Sequence, residues 1–260
     1  MRVEFITEED FYVLPLFEEF FRNFGAEFEI VRVSCCRPMG NRPRTQLLRE
    51  LSWLYGAPGL TRLLGRYALA RVLSRVPKRR HASRFYSLKQ LCAAYNVPYA
   101  AIGSPNTDVY ADELRARSAD LLISVACPFI LKRRILQAPP MGCINLHNAP
   151  LPRYKGMMPT FWQLFHGESS VGLTVHYMTE KIDDGMILFQ DRLEVEPGET
   201  LDRLIRRSKR RAAHSLGRVL RELETGTANP KPMEKENGTY FSFPNRQQIR
   251  EFHNRGLRAI

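Results

Sequence analysis

The chain has few cysteines, and no two of them have the C-x-x-C spacing of a metal or redox site. Its 260 residues include five cysteines, with no C-x-x-C pair and no histidine at metal-ligand spacing. A zinc site or a redox-active dithiol is therefore not expected. Each cysteine lies in apolar sequence, which is typical of a buried free thiol in a reducing compartment.

Long apolar runs and a secretion signal are also missing. No apolar run approaches the roughly 20 residues that a helix needs to span a bilayer. The first residues lead directly into the acidic stretch Glu8-Glu9-Asp10, whereas a secretory signal would continue into an apolar core. With 44% apolar and 25% charged residues, the composition is that of a globular protein, and we expect a cytoplasmic one.

The first predicted strand, residues 2–7, is followed by a turn that contains no glycine. Nucleotide-binding α/β proteins place a G-x-G-x-x-G turn at this position, because its backbone N–H groups contact phosphate. Here the turn holds three carboxylates, Glu8, Glu9 and Asp10, which would repel a phosphate. A nicotinamide cofactor is therefore not expected.

Acidic residues are almost absent between residues 42 and 84. This basic segment holds eleven arginines and lysines against one acid, Glu50, so its net charge is +10 out of +12 for the whole chain. Two helices are predicted within it, separated by glycine and proline at residues 56–59. In the second helix, residues 60–76, the apolar positions drift from one side to the other, whereas an amphipathic membrane helix keeps one apolar face.

The basic segment 42–84 therefore admits three roles. It could dock peripherally on an anionic membrane, at roughly 1 kcal/mol for each base near the surface. It could attract an acidic substrate, such as a nucleotide sugar or RNA. It could also be a helical insertion whose arginines are simply solvated.

Strand and helix patterns alternate along most of the chain. Strands are predicted at residues 2–7, 27–33, 97–102, 121–126 and 143–146, and helices at residues 11–24, 87–95 and 108–117. Such alternation predicts an α/β fold, with a mostly parallel, Rossmann-like sheet and helices on both faces. Two further strands, at 171–178 and 186–193, and an amphipathic helix from Leu201 to Leu223 complete the pattern.

Two domains are expected from this organisation. Residues 1–224 would form the catalytic domain, with the basic segment 42–84 as a helical insertion. Residues 225–260 would form a small C-terminal appendage, with a hairpin near residues 238–244 and a short helix near 247–254.

Three chemistry-bearing side chains are predicted to meet beyond the strand at 143–146. Asn145 and His147 are two residues apart, so their side chains leave the same face of that strand. A long loop rich in proline and glycine follows. Asp183 lies in a second loop, between the last two predicted strands. An N-x-H pair alone is more often structural, and an Asp-Asp-Gly turn is common, so their combination carries the signal.

Together these groups fit an acyl-transfer site. An asparagine amide can donate a hydrogen bond to the oxyanion that forms when an amine attacks a carbonyl. A histidine can shuttle the amine's proton, and a carboxylate can orient the imidazole and relay the proton. The arrangement includes no serine or cysteine nucleophile, which favours direct transfer over an acyl-enzyme.

Residues 142–190 resemble the N10-formyltetrahydrofolate-dependent formyltransferase family. Members carry Asn-x-His-x-x-Leu-Leu-Pro-x-aromatic-basic-Gly and a later apolar-Asp-x-Gly loop, which correspond to residues 145–156 and 182–185. The resemblance implies transfer of a formyl group from N10-formyltetrahydrofolate to a primary amine. Its implied catalytic trio is Asn145, His147 and Asp183. The sequence departs from the family at residues 148–150, Asn-Ala-Pro, where Pro-Ser-Leu is usual.

The resemblance also implies ligand contacts. One apolar stretch would line the slot for the folate's pterin ring, although its members could equally be core residues: Phe129, Ile130 and Leu131. A second stretch would form the pterin-facing loop: Glu180, Lys181 and Ile182. Arg153 and Lys155 could face an anionic substrate, or they could be exposed and solvated.

The acceptor expected from the resemblance is a small anionic amine, such as a nucleotide-linked amino sugar. The missing glycine turn argues against the glycinamide-ribotide branch, and residues 225–260 are shorter than the C-terminal barrel of methionyl-tRNA formyltransferases. Alternatives are a methionyl-tRNA formyltransferase-like enzyme, a formyl-folate hydrolase, or a non-catalytic adaptor that binds membrane or RNA. A homodimer is also compatible with the sequence.

Overall fold

Five parallel strands form most of the central sheet in the computed structural model, which describes residues 1–10, 12–37 and 43–260, without the side chains of Arg44 and Lys235. The parallel strands are β1 (Arg2–Glu8), β2 (Glu29–Cys36), β3 (Tyr99–Ile102), β4 (Leu121–Val125) and β5 (Cys143–His147). Two antiparallel strands, β7 (Ser170–Tyr177) and β8 (Ile187–Glu194), complete the sheet. A separate strand, β6 (Lys155–Gly156), lies in the loop after β5.

Within the described residues, the strand order of the sheet is β3-β2-β1-β4-β5-β7-β8. Parallel neighbours need crossover connections, and helices supply them, among them α1 (Leu14–Phe24) and α3 (Leu88–Ala94). From β1 the strand order continues through β2 and β3 on one side and through β4 and β5 on the other, so the order of strand addition reverses between β1 and β4. In open α/β sheets, ligand sites lie beyond the carboxyl ends of the strands near such a point.

Helices cover both faces of the sheet, which confirms the predicted fold class. Successive residues of β1 enter different cores: Val3 and Phe5 pack with α1, α3 and α7 (Leu201–Glu224) on one face. The ring of Phe5 lies edge-on to that of Phe17, with 5.1 Å between centroids. Ile6 packs on the other face with α4 (Asp108–Ala116) and α5 (Arg133–Leu136).

Predicted element boundaries hold to within a few residues. The second strand, expected at 27–33, spans Glu29–Cys36. The first helix begins at Leu14, with Pro15 in its first turn, while its expected first residue, 11, lies outside the described residues.

The basic segment forms helix α2 (Arg44–Leu73), which is interrupted at the expected place. Gly56 has φ 63° and ψ 175°, and Pro58 follows it. These values lie outside the helical region, so two helices meet at a kink there. The second part ends at residue 73, three residues before the expected end, and Arg42 lies outside the described residues.

The first part of α2 belongs to a third core. Leu54 and Tyr55 pack there with α6 (Pro159–Phe165) and α8 (Arg246–Asn254). Helix α8 begins at a capping box formed by Asn245 and Gln248, and it buries Phe252 completely.

The predicted C-terminal hairpin is wrong. Strand β9 (Tyr240–Phe241) pairs in parallel with β6, in the loop after β5, and not with a neighbouring strand of its own segment. The Lys155 N–H donates to the Thr239 carbonyl at 2.9 Å, and the Met157 N–H donates to the Phe241 carbonyl at 2.8 Å. The Phe241 ring stacks on Trp162 with 4.7 Å between centroids, so β9 also packs on α6.

Candidate active site

Strand β5 brings Asn145 and His147 to one face near its carboxyl end, as the two-residue spacing predicts. The strand lies between parallel β4 and antiparallel β7, so neither side chain is on a sheet edge. Across the antiparallel pair, Asn145 lies opposite His176, and His147 lies opposite Thr174. The neighbouring strands therefore fix the site from both sides.

The side chains of His147 and Asp183 meet although 36 residues of sequence separate them. Nδ1 of His147 lies 3.4 Å from Oδ1 of Asp183, and both side chains are almost fully buried. Nε2 of His147 lies 2.8 Å from the Tyr154 carbonyl oxygen. Because a carbonyl accepts only, Nε2 carries a proton and donates it, and Nδ1 faces the carboxylate. A further proton at Nδ1 would be shared between imidazole and carboxylate.

The second carboxylate oxygen of Asp183 also accepts a hydrogen bond. The Gly156 N–H donates to Oδ2 of Asp183 at 2.7 Å. Asp183 itself has φ 44°, and Gly185 has φ 135°, where an added Cβ would lie 2.0 Å from the Tyr177 carbonyl oxygen. The tight turn at residues 183–185 thus requires glycine at its end and directs the first aspartate to His147.

The neighbouring Asp184 has a different partner. Its Oδ1 lies 3.7 Å from Nζ of Lys155. Of the two adjacent carboxylates, the one expected from the apolar-Asp-x-Gly pattern, Asp183, is therefore the one in contact with the imidazole.

Gly156 can donate to Asp183 because it has no side chain. Its φ is 94°, and an added Cβ would lie 2.3 Å from the Phe241 carbonyl oxygen and 2.8 Å from the Tyr240 ring. The Tyr154 N–H donates to Oγ1 of Thr239 at 2.8 Å. Residues 239–241 therefore hold the loop that contacts both His147 and Asp183.

His176, which contacts the Asn145 amide, is not among the residues that the sequence motifs predict. Nδ2 of Asn145 lies 3.2 Å from Nε2 of His176, and Nδ1 of His176 lies 2.8 Å from the Tyr177 carbonyl oxygen. Burial lowers the pKa of His176 to about 4, although its hydrogen bond to the Tyr177 carbonyl opposes the shift. A neutral ring that donates from Nδ1 can accept from Asn145 at Nε2. One N–H of the Asn145 amide is then bound, and the other makes no hydrogen bond to any of the described residues.

Alternation along residues 171–178 could place His176 on a face, but it could not give its partner. That partner depends on the antiparallel register between β5 and β7, in which His176 lies opposite Asn145. A histidine in the strand before the Asp-Asp-Gly loop was the available signal.

The two basic residues predicted to face the substrate, Lys155 and Arg153, differ in burial and in position. Lys155, whose side chain is mostly buried, lies near enough to His176 to oppose its protonation. Arg153 is half-exposed and donates to Oε1 of Glu168 at 2.8 Å. Both bases therefore have an acidic partner, but Lys155, beside Asp184, belongs to the cluster around the trio, whereas Arg153 is paired with Glu168.

The residues predicted to line the pterin slot differ in exposure. Leu131 is fully buried in the core beneath α4 and α5, as its core alternative requires, and Phe129 packs partly buried against that core. Ile130 is 54% exposed. In the other predicted loop, Lys181 is exposed and Ile182 is 42% exposed.

These two loops lie against each other. Oε1 of Glu180 accepts from the Arg133 N–H at 3.2 Å, which joins the loop after β7 to the start of α5. Exposed Ile130 and Ile182 therefore come from adjoining loops, one of which continues directly into Asp183. Such apolar surface suits a flat heteroaromatic ring.

At residue 148, where the sequence departs from the family pattern, the structure has a buried polar network. Oδ1 of Asn148 accepts from Nζ of Lys209 at 2.7 Å, and the Asn148 carbonyl accepts from Nε2 of Gln163 at 2.8 Å. Burial lowers the pKa of Lys209 to about 8, although Asp10 and Glu8 oppose the shift. The loop after His147 is thus tied to α7 and α6 through residue 148.

The cysteines are free, and four of them are buried: Cys35, Cys36, Cys92 and Cys143. Burial raises the pKa of the Cys143 thiol to about 12. Over residues 1–10, 12–37 and 43–260, no group of three or more His, Cys, Asp and Glu side chains could hold a metal ion. None of the helices in the same ranges is long and apolar enough to cross a membrane.

Comparisons with known proteins point to one family. The sequence model of the family described as Formyl transferase matches residues 70–220, more than half of the chain. A methionyl-tRNA formyltransferase from Syntrophus aciditrophicus is 35% identical over 153 residues, which are 59% of this chain and 49% of that protein. A methionyl-tRNA formyltransferase from Synechococcus sp. (strain JA-3-3Ab) is 34% identical over 174 residues, 66% of this chain and 54% of that protein. The chain thus spans about half the length of these relatives.

Solved structures share the fold. A sugar N-formyltransferase from a Shewanella species superposes with a TM-score of 0.57 at 17% identity, over 93% of this chain and 76% of that one. A glycinamide ribonucleotide transformylase from Symbiobacterium toebii superposes with a TM-score of 0.59 at 17% identity, over 87% and 88%. At such identity the similarity shows a common architecture.

Proposed function

The chain belongs to the formyl transferase family, and on this premise we propose that it transfers the formyl group of N10-formyltetrahydrofolate to a primary amine. The observation that carries the proposal is the contact between His147 and Asp183, 3.4 Å apart. His147 lies on β5, and the same face of this strand presents the Asn145 amide, which His176 orients. A hydrogen-bond donor and a proton-accepting pair thus lie on one site.

The formyl-folate supplies a carbonyl carbon that an amine can attack. The unbound N–H of Asn145 donates to the formyl oxygen and stabilises the negative charge that develops there. As the bond from the amine nitrogen to the carbon forms, the amine's proton passes to the pair of His147 and Asp183. When the bond from N10 to the carbon breaks, this pair returns a proton to N10, so charge and protons balance.

The donor would be held by the two adjoining loops near the trio. Exposed Ile130 and Ile182 would contact the pterin ring, with half-buried Phe129 behind them. Glu180 and Lys181 would contribute to the same loop surface. Leu131, which is fully buried, would support this surface from the core.

For the acceptor we propose a small anionic amine, with a nucleotide-linked amino sugar as the first candidate class. Lys155, beside the trio, would face its anionic part, and Arg153, which is half-exposed, could exchange Glu168 for the substrate. A methionyl-tRNA acceptor is the second candidate, because the matched relatives with 34% and 35% identity carry that name.

Incubation of the purified chain with N10-formyltetrahydrofolate and a panel of amines tests the proposal, with the absorbance of released tetrahydrofolate as readout. The panel would contain nucleotide-linked amino sugars, methionyl-tRNA and a buffer without amine. Release that requires an amino sugar supports the first acceptor, and release that requires methionyl-tRNA supports the second. Release without any amine indicates a hydrolase, and no release with any acceptor contradicts the proposed activity.

Variants of the trio connect turnover to the geometry. Asn145→Ala should lower kcat by about 100- to 1,000-fold, the usual effect of removing one oxyanion donor. His147→Ala should lower it at least as much. Turnover like that of the wild type in both variants would refute the assignment of the site.

A further inference from the structure

The second part of α2 exposes a row of apolar side chains to solvent. We call this row the outer stripe: Leu64, Ala68, Leu69, Val72 and Val76. The leucines and valines are between 47% and 60% exposed, and the alanine is exposed as well. Four of them recur every fourth residue, and Leu69 lies next to that row, so they cover one side of the helix and the turn after it.

The opposite side of the helix contacts the rest of the chain. Nη1 of Arg66 lies 3.5 Å from Oδ1 of Asp202, and Ala70 is buried. Nε2 of Gln90 donates to the carbonyl oxygens of Leu73 and Val76, at 2.9 Å and 2.6 Å. These contacts set the rotation of the helix about its axis, so the outer stripe faces solvent as a consequence of the fold.

This arrangement explains the drift of apolar positions in the sequence. The earlier apolar residues Leu60 and Leu63 are partly buried, whereas Leu64 and the later ones lie outward. The apolar residues of this helix therefore form two separate faces. The earlier one packs inward, and the later one is exposed.

Basic side chains border the outer stripe. Arg71 and Arg75, four residues apart, lie along one border, and Arg62 lies along the other, all exposed. Arg79, Arg80 and Arg84 follow in the connection to α3 and are exposed as well. An exposed apolar stripe bordered by arginines is the pattern of helices that lie in the interface of an anionic bilayer.

We propose that the chain docks on an anionic lipid surface through the outer stripe and its bordering arginines. The apolar side chains enter the boundary between headgroups and acyl chains, and the arginines contact lipid phosphates. The proposal stands independently of the acceptor, because it concerns a surface outside the site of the trio.

Charge and apolar contact together decide among the partners that such a surface could take. A second copy of the chain would bring two sets of arginines together, which like-charge repulsion opposes. RNA would satisfy the arginines, but its hydrated phosphates would give the exposed leucine and valine side chains no apolar partner. An anionic bilayer provides both negative charge and an apolar phase.

Co-sedimentation of the full chain with vesicles tests the proposal. The vesicles would be phosphatidylcholine alone, or phosphatidylcholine and phosphatidylglycerol in equal parts, at low and at high salt. The wild type should sediment with the anionic vesicles at low salt and bind the neutral ones more weakly. High salt should weaken binding to the anionic vesicles. No binding to anionic vesicles at low salt would overturn the proposal.

Three double variants separate the contributions. Arg71→Gln with Arg75→Gln should weaken binding by about 30-fold, because each surface base contributes about fivefold. Leu69→Ser with Val72→Ser, which keeps the charge, should weaken it by more than about tenfold. Arg210→Gln with Arg250→Gln, a matched charge change at exposed positions outside the segment, should stay within about threefold of the wild type. Circular dichroism melts would check that each variant is folded.

The pattern among these variants decides the outcome. Binding that survives loss of the apolar pair and is competed by RNA would identify a general polyanion site and overturn the proposal. A change in mass by analytical ultracentrifugation that disappears in the apolar variant would identify a second copy as the partner, and would overturn it too. Formyl transfer is not measured in any of these assays, so their outcome is separate from that of the proposed function.

Discussion

Nδ2 of Asn145 and Nε2 of His176 lie 3.2 Å apart, as direct neighbours across the antiparallel pair of β5 and β7. The histidine gives the amide a fixed acceptor, because its other ring nitrogen is engaged by the Tyr177 carbonyl. The amide is therefore oriented before any ligand binds. A preorganised donor stabilises charge in the transition state without a reorganisation cost at the moment of reaction.

We predict that His176→Phe lowers kcat by about 10- to 100-fold and changes KM little, because the amide of Asn145 loses its acceptor and its orientation. His176→Gln, whose amide oxygen can accept a hydrogen bond, should restore part of the rate. Steady-state kinetics on both variants provide the measurement. Equal rates in the Phe and Gln variants would show that the contact does not orient Asn145.

Stability should also depend on pH through His176. Its pKa is about 4 in the folded chain, against 6.5 as the ordinary value, so the unfolded chain takes up a proton first as the pH falls. Relative to His176→Gln, the wild type should keep its stability above pH 6.5 and lose about 3 kcal/mol as the pH falls through 6.5 to 4. Urea unfolding of both proteins at several pH values gives this difference. Parallel pH dependences would contradict the burial of a neutral ring.

The two adjacent aspartates should behave differently. Asp183→Asn should lower kcat by about 100- to 10,000-fold, because the imidazole loses the carboxylate that shares its proton. Asp184→Asn, which removes the partner of Lys155, should lower it by less than about tenfold. Single-turnover rates with saturating donor and acceptor measure both effects. The reverse order of effects would move the catalytic assignment to the second aspartate.

Gly156→Ala should impair the site although no catalytic side chain changes. The added Cβ would lie 2.3 Å from the Phe241 carbonyl oxygen, so the backbone must move and the N–H that holds Asp183 moves with it. A loss of about 100-fold in kcat is expected. Gly167→Ala is the matched control, because Gly167 also has positive φ, 75°, but an added Cβ would meet no atom within 4 Å. Equal losses in both variants would attribute the effect to backbone strain alone.

Lys209 should make stability rise with pH in the alkaline range. Its pKa is about 8 in the folded chain and 10.5 ordinarily, so between these values the unfolded chain binds a proton that the folded chain does not. Relative to Lys209→Met, the wild type should gain about 3 kcal/mol in free energy of unfolding from pH 8 to 10.5. Denaturant unfolding across this range measures the difference. A wild type that gains nothing on the variant would show that the ammonium is not buried.

The sequence alone determined the family, the succession of strands and helices, and the shared face of Asn145 and His147. These properties depend on local periodicity or on short motifs, which a few neighbouring residues encode. The break in α2 at Gly56 is of the same kind, since it depends on local backbone preferences.

A motif pointed to the contact of Asp183 with His147, but tertiary structure alone decided which other distant segments meet. It set the register that places His176 against Asn145, the pairing of β9 with β6 that replaces the expected hairpin, and the rotation of α2 that exposes the outer stripe. Each of these depends on contacts between segments far apart in the chain. No local pattern can encode such contacts, because they follow from how all the apolar faces are buried at once.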